Sequence, residues 1–501
     1  MSVLLPSGPA PRIAVREGFP GSDSLSKFDA VLVLLPTVAT PDRRLPVRSQ
    51  WQWLASRAKN THATVRATEF ESPRRTLGVL GWCRTDAEPF EVLRAAGAMA
   101  RKLLAERPRV SRIAIVVQST SRQRDAWQEA LCAALMAHGF RMPAEKGSPS
   151  PATSPLRITL FGGSKLDLRR VVVTGEATNL VRQLTALPPN RLDAAGYRRV
   201  LATLARRHGL KLRWYNERAL ERLGAGAFLA VSRGNPRRDA GIAHLSYRPK
   251  RKAKRGAQAP IALVGKGVLF DTGGTNLKAH RSMLDMHIDM SGSAVALATL
   301  VALARLRAPF PADAWLAITE NSIGPAAYRP QEVIRALNGT TIQVIHSDAE
   351  GRMVLADTLA LAARGKPKLV VDFATLTGAC VFALTERYSG VFASSPELAA
   401  AAMAAGHDSG ERLWAFPMPE DFDTDIESPT ADVAQCSVEG KGDHILAARF
   451  LRRFVPMDLP WLHVDLSSVT RRGGLAHVPT EITGFGARAS LALLLDRTLP
   501  A

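Results

Sequence analysis

The segment from Val264 to Asp357 alternates hydrophobic strand-like and helix-like runs, yet the short motifs at 264–278, 286–289 and 345–357 place Asp271, Asp289, Asp348 and Glu350 together with Lys266, Lys278 and Arg352. Asp348, Glu350 and Arg352 fall within five residues, Asp348-Ala-Glu-Gly-Arg352, just ahead of an apolar helical run at 353–363. Carboxylates two apart at a helix entrance converge only for a strong reason, and a metal ion supplies one. If all four acids meet, each neighbouring pair repels by about 4 kcal/mol at 4 Å and an effective dielectric of 20. Two divalent cations bring four positive charges against four negative ones, so charge balance favours a two-metal centre. Any fold for this chain has to bring these residues together.

The ligand set is mostly oxygen, which suits Mn²⁺ or Mg²⁺, while Zn²⁺ or Co²⁺ also bind such sites. An ammonium cannot ligate, so Lys266 joins the metals only by losing its proton. Lys278, beyond the Gly273-Gly274 turn, can stay charged and stabilise an oxyanion. Arg352 suits a planar anion, either substrate or a bicarbonate acting as proton shuttle. The glycines of 264–274 lack the spacing of a phosphate-binding loop and no lysine-serine or lysine-threonine pair follows them.

At 501 residues the chain exceeds one ordinary core, so two domains are expected. Alternating strand and helix signals predict an α/β fold. Strands are predicted at 29–36, 76–83, 113–118 and 158–163, with helices at 91–106 and 125–138. That is a smaller N-terminal α/β domain over residues 1–174. A linker helix over 175–190 ends at Pro188-Pro189-Asn190, and a larger domain with a central mixed sheet covers 191–501. Its predicted elements include strands at 260–270, 314–318 and 368–373 and helices at 194–207, 293–306 and 353–363. The acidic motifs fall at strand ends and helix entrances, where open α/β sheets place ligands.

The 46% hydrophobic and 22% charged composition is that of a globular protein. No uninterrupted apolar run reaches the roughly 18 residues of a membrane span, and residues 1–18 lack a signal-peptide core, so a cytoplasmic protein is expected. The four cysteines, Cys83, Cys132, Cys380 and Cys436, form no paired motif and read as buried thiols. A net charge of +21 invites an anionic partner. Its one dense cluster, residues 248–255, lies between strand-like runs and suggests a protruding hairpin loop, either a DNA contact or a solvated face.

Residues 264–278, 286–293, Ala327-Tyr-Arg-Pro330, 347–357 and Asp372-Phe-Ala-Thr-Leu-Thr-Gly-Ala-Cys380 resemble, in order and spacing, the leucyl (cytosol) aminopeptidase family. Ile482-Thr-Gly-Phe-Gly486 matches as well. The resemblance covers about residues 175–495; the N-terminal part matches in architecture, a macro-like α/β domain. It implies a two-metal hydrolysis of N-terminal residues from peptides, with a bridging water. Asp271 and Glu350 would bridge the ions, Lys266 and Asp289 would complete the exchangeable site, and Asp348 the other. Lys278 and Arg352 match the catalytic pair. Met286, Thr375, Leu376, Gly378 and Ser467 correspond to substrate-pocket positions. The resemblance further implies Mn²⁺ as the foremost ion, substrates with a free N-terminus, and a hexamer arranged as a dimer of trimers. One member of the family also binds DNA, which supports nucleic-acid binding as an alternative role. Departures occur at His346-Ser347, Thr272 and His287, and in 439–446, which resembles a peptidase B-like branch. His287 and His444 are weak additional ligand candidates.

Overall fold

The computed structural model describes residues 4–6, 8–21, 25–57, 65–146, 155–249 and 259–498. Two large sheets divide the chain between two α/β domains, and a third sheet of three short strands, Val333–Arg335, Thr341–Gln343 and Val433–Ala434, accompanies the second. The first sheet has six strands in the order Arg12–Arg16, Arg157–Phe161, Arg112–Val117, Ala30–Pro36, Leu77–Cys83 and Val65–Glu69. All neighbours are parallel except the last pair. The four inner strands match the sequence expectation to within a residue or two. The two edge strands, each with an alternating exposed pattern and several charges, were not anticipated. Half-buried edges carry a weaker apolar signal than strands buried on both faces.

The second sheet has eight strands in the order Leu413–Ala415, Ser389–Ala393, Trp461–Asp465, Leu369–Ala374, Ile261–Asp271, Ala312–Asn321, Gly241–Tyr247 and Lys211–Asn216. Its middle is parallel and both flanks include antiparallel pairs, so the sheet is mixed as expected. Successive residues of the central strand alternate between two cores. Ile261 and Leu263 join one hydrophobic cluster, and Ala262 and Val264 join the other. Helix Ser291–Leu306 covers the first face and helix Glu350–Ala363 the second. Residues 280–306 are apolar enough to cross a membrane, but 83% of that window is buried inside the protein, which marks a core helix.

Helix Leu168–Thr185 packs against both Ser291–Leu306 and Ser121–His138, joining the two halves. It starts and ends earlier than the linker helix expected over 175–190; the start is set by Asp167, which caps it by accepting from the Arg170 N–H at 3.1 Å. The expected hairpin around the basic run is corrected. Strand Ala312–Asn321 lies between Gly241–Tyr247 and Ile261–Asp271, so the connection crosses a strand instead of turning back on its neighbour. Arg248 pairs with Asp313 at 2.6 Å, and residues 250–255 lie outside the described residues.

Candidate metal centre

The site forms where the middle strands of the second sheet end. Asp271 closes strand Ile261–Asp271, and the backbone then turns through Gly273 and Gly274 at φ +86° and +63°. Left-handed backbone of this kind favours glycine. The turn folds back so that the Gly273 N–H donates to Asp271 Oδ1 at 2.9 Å, and it returns Lys278 to the same carboxylate. Asn321, at the end of the adjacent strand beyond a register irregularity, donates to Asp271 Oδ1 at 2.8 Å. Asp289 follows the short turn Met286–Ile288, and Glu350 is the first residue of helix Glu350–Ala363.

All four predicted acids converge. Oxygen atoms of Asp271, Asp348 and Glu350 lie within 4.8 Å of one another. The fourth acid is tied in by Lys266, whose Nζ stands 2.8 Å from Asp289 Oδ1 and 2.8 Å from Glu350 Oε1. On the opposite side, Lys278 Nζ is 2.9 Å from Asp271 Oδ2 and 2.6 Å from Asp348 Oδ1. Lys266, Asp271, Asp289 and Glu350 are all buried. Lys266 reaches its partners across Gly351, where an added Cβ would sit 2.7 Å from both Lys266 Cε and Nζ.

Electrostatics follow from crowding. Burial, only partly offset by Lys266, raises the Asp289 carboxyl well above its ordinary range, and Glu350 and Asp271 reinforce the shift. Burial and then repulsion from Asp271 and Glu350 push Asp348 up to about 7. The same two causes, burial and then Asp271, raise Glu350. Burial alone would lower Lys266, but Asp289, Glu350 and Asp271 outweigh it and hold the ammonium protonated. Lys278 is raised likewise, with Asp271 and Asp348 outweighing its burial. Two ammonium groups therefore only partly neutralise four acids. Asp289 Oδ2 and Glu350 Oε2 are buried with no hydrogen-bond partner. Buried carboxylate oxygens are rarely left so, and unpaired oxygens on crowded acids suit divalent cations. The donor set present fits a metal.

Of the remaining predicted residues, Thr375 touches this cluster directly. The Thr375 hydroxyl donates to Asp289 Oδ1 at 2.6 Å, and the Thr375 carbonyl accepts from Lys266 at 3.0 Å. The Leu376 N–H is taken by Asp465 Oδ1 at 3.1 Å. Met286 is half-buried, and Gly378 is exposed with open space where a Cβ would stand. Ser467 is buried, its hydroxyl donating to the Tyr388 carbonyl at 2.6 Å. Arg352, buried beside the cluster, is engaged by Asp443 and by the Gln435 carbonyl.

The departures have local roles. The Ser347 hydroxyl donates to the Gly273 carbonyl at 2.7 Å and accepts from the Asn276 N–H at 2.7 Å, pinning the glycine turn. Thr272 donates to the Asn321 carbonyl at 2.7 Å. Among the described residues, neither His287 nor His444 joins the acid group; His444 packs edge-on against Phe416 at 4.5 Å. Sequence reading missed Asn321, Asp443 and Asp465, since a lone polar residue at a strand end or loop gives no spacing pattern. Tyr328, within one of the motifs, donates its hydroxyl to the Ser347 carbonyl at 2.6 Å.

Known proteins resemble this chain in sequence and in fold. The model of the cytosol aminopeptidase family, catalytic domain, matches residues 179–491. A "Probable cytosol aminopeptidase" of Prochlorococcus marinus (strain MIT 9313) is 37% identical over 349 residues, 68% of this chain and 70% of that protein. One of Synechococcus sp. (strain CC9605) is 36% identical over 434 residues, 85% of this chain and 86% of that protein. Among solved structures, the bottromycin maturation enzyme BotP in complex with Mn is similar at a TM-score of 0.80 and 29% identity. The alignment covers 93% of this chain and 98% of that one.

Proposed function

The chain belongs to the cytosol aminopeptidase family, and from that premise we propose that it is a two-metal aminopeptidase releasing leucine and other mostly apolar N-terminal residues from peptides. Membership of this family makes it a metallo-aminopeptidase; the ion count, the ligands and the substrates are our reading. Asp271, Asp289, Asp348 and Glu350 would hold the ions, and Lys266 would join them once the cations displace its proton. The observation that carries this is the pair of buried, unpartnered oxygens, Asp289 Oδ2 and Glu350 Oε2, inside a cluster of acids. Mn²⁺ is the proposed ion, supported by the oxygen-rich donor set and by the Mn in the BotP structure.

Divalent ions in such a cluster polarise a scissile carbonyl and make a nucleophile of water at neutral pH. The chain's own groups do the rest. Lys278, at the less buried side of the cluster, keeps its charge and steadies the oxygen on which negative charge develops. Arg352 serves the same site from its buried position. Thr375 fixes Asp289 and Lys266 from one residue. Met286, Leu376, Gly378 and Ser467 border the pocket for the first side chain, and a free amino terminus is required. The protein acts in the cytosol as a hexamer, a dimer of trimers.

Chelator-stripped enzyme should be inactive on leucine p-nitroanilide and recover with Mn²⁺. Asp348→Ala should stay inactive, at least about 1000-fold down. A folded protein without activity on any aminoacyl substrate, with any of Mn²⁺, Mg²⁺, Zn²⁺ or Co²⁺, would overturn the reading. Sedimentation should return six subunits. Nucleic-acid binding is the second reading, favoured by the charge of +21. A gel shift that weakens steeply with salt and is lost on neutralising the basic residues of 248–255 would support it.

A further inference from the structure

Arg352 has a partner that its motif does not announce. Its Nη2 lies 2.8 Å from both Oδ1 and Oδ2 of Asp443, and its Nη1 donates to the Gln435 carbonyl at 3.1 Å. Nε has no partner. The guanidinium is 2% exposed and the Asp443 side chain 26%, so the carboxylate stands on the solvent side of the arginine. A buried guanidinium without a counterion is strongly disfavoured, and here the chain supplies one.

Backbone geometry delivers it. Gly440 and Gly442 both lie in the left-handed region, at φ +69° and +62°. The chain turns there into helix Asp443–Arg452, whose first residue is the acid itself. A carboxylate in a first helical turn is favoured by the helix dipole as well. Asp443 thus has the charge, the planar pair of oxygens and the location expected of an anion bound to Arg352. An external anion would have to displace it to use Nη2.

We propose that Asp443 is the resident anion of the Arg352 slot, so that hydrolysis needs no bicarbonate or other exogenous carboxylate. Asp443 is a positioning residue acting through Arg352. The inference rests on the catalytic reading of Arg352 given above.

The test uses full-length, metal-loaded enzyme in carbon-dioxide-free buffer with bicarbonate or formate added. Wild-type kcat should not respond to either anion. Asp443→Ala should lose about 100-fold in kcat with a smaller change in KM, and added bicarbonate or formate should restore at least about a tenth of the wild-type rate. Asp443→Asn, which fills the slot without the charge, should be as slow and should not be rescued. Calorimetric titration of bicarbonate should give binding heat with Asp443→Ala and none with wild type. Wild-type activation by bicarbonate, bicarbonate binding to wild type, or an Asp443→Ala enzyme at full speed without anion would each overturn the proposal. If Asp443→Ala fails to fold, the wild-type response and Asp443→Asn still decide. Failure of the two-metal reading looks different: wild type would then be inactive with every metal, while the calorimetric comparison would still report on the slot.

Discussion

The two large sheets of this molecule share a class and differ in what they bury. Through the first sheet and its helices, up to residue 161, the buried polar side chains among the described residues are Thr76 and Gln128. The second sheet and its helices bury Lys266, Asp271, Asp289, Glu350, Arg352, Asp357, Asp372, Asp465 and more. Both sheets have parallel strands whose ends offer a place for a ligand. Only one end carries charge, and there each acid has at least one ammonium or hydrogen-bond donor, while Asp289 Oδ2 and Glu350 Oε2 stay unpaired. Asp465, for example, accepts from the Thr377 hydroxyl at 2.7 Å and from the Leu376 N–H. Chemistry sits where buried charge is held by partners that leave oxygens over for a cation, and a sheet without buried charge remains a scaffold.

The comparison breaks if the first sheet tolerates charge. Leu32 is fully buried in the middle of strand Ala30–Pro36. Leu32→Asp places there a carboxylate with no counter-ion, and it should cost about 3–5 kcal/mol or unfold the N-terminal half. Denaturant unfolding checks this. A variant as stable as wild type would show that the first sheet can also compensate a charge, and the contrast between the halves would fall.

Acid sharpens the same contrast with opposite signs. Burial, followed by Arg101 and Arg182, lowers His138 in helix Ser121–His138 to about 4. Its contribution is therefore fully present above the unfolded value of 6.5 and is lost as pH falls toward 4. Burial raises Asp357 to about 7, although backbone N–H donors such as those of Leu337 and Phe228 oppose it. That contribution is present below 3.8 and lost as pH rises through 7. Hydrogen exchange at pH 5 against pH 7.5 should show weaker protection around His138 at the lower pH. The His138→Gln variant should remove the loss, which amounts to at most about 3 kcal/mol. Unchanged protection around His138 at pH 5 would sink the assignment.

The inner strands of the first sheet and the helices expected at 91–106, 125–138, 194–207, 293–306 and 353–363 were legible because they are buried on both faces or carry a clear helical period, whereas strand Trp461–Asp465 and helices such as Arg48–Ser56 and Pro396–Ser409 were not anticipated. The edge strands Arg12–Arg16 and Val65–Glu69 were not, since their alternating charged residues resemble loop. In the site, the acids were legible as a set because they recur within short motifs that only a shared cation explains. The Asp443–Arg352 pair joins positions 91 residues apart, and no local pattern announces such a contact. Nor does the sequence reveal that Asp465 holds the Leu376 N–H, a fact set by how strands Leu369–Ala374 and Trp461–Asp465 pair. The basic run misled because two strand-like segments flanking a loop look alike whether or not a third strand inserts between them.

The smallest expected effect concerns one methyl group. Gly351 lies one residue after Glu350, and an added Cβ would meet the Lys266 Cε and Nζ at 2.7 Å and the Leu376 Cδ1 at 2.9 Å. These are far ends of flexible side chains, not backbone, so Gly351→Ala need not disturb the helix, where alanine is the better former. Lys266 would have to withdraw from Asp289 and Glu350, the two acids it joins at 2.8 Å. Metal affinity and kcat/KM should fall about 10- to 100-fold while unfolding stability stays near wild type. The corresponding Gly81→Ala in the first sheet also meets a side-chain terminus, Met99 Sδ at 2.6 Å. It should leave metal affinity and turnover untouched and change stability alone. If both substitutions altered only stability, Lys266 would be a structural counter-ion, and the division between a working half and a supporting half would lose its ligand.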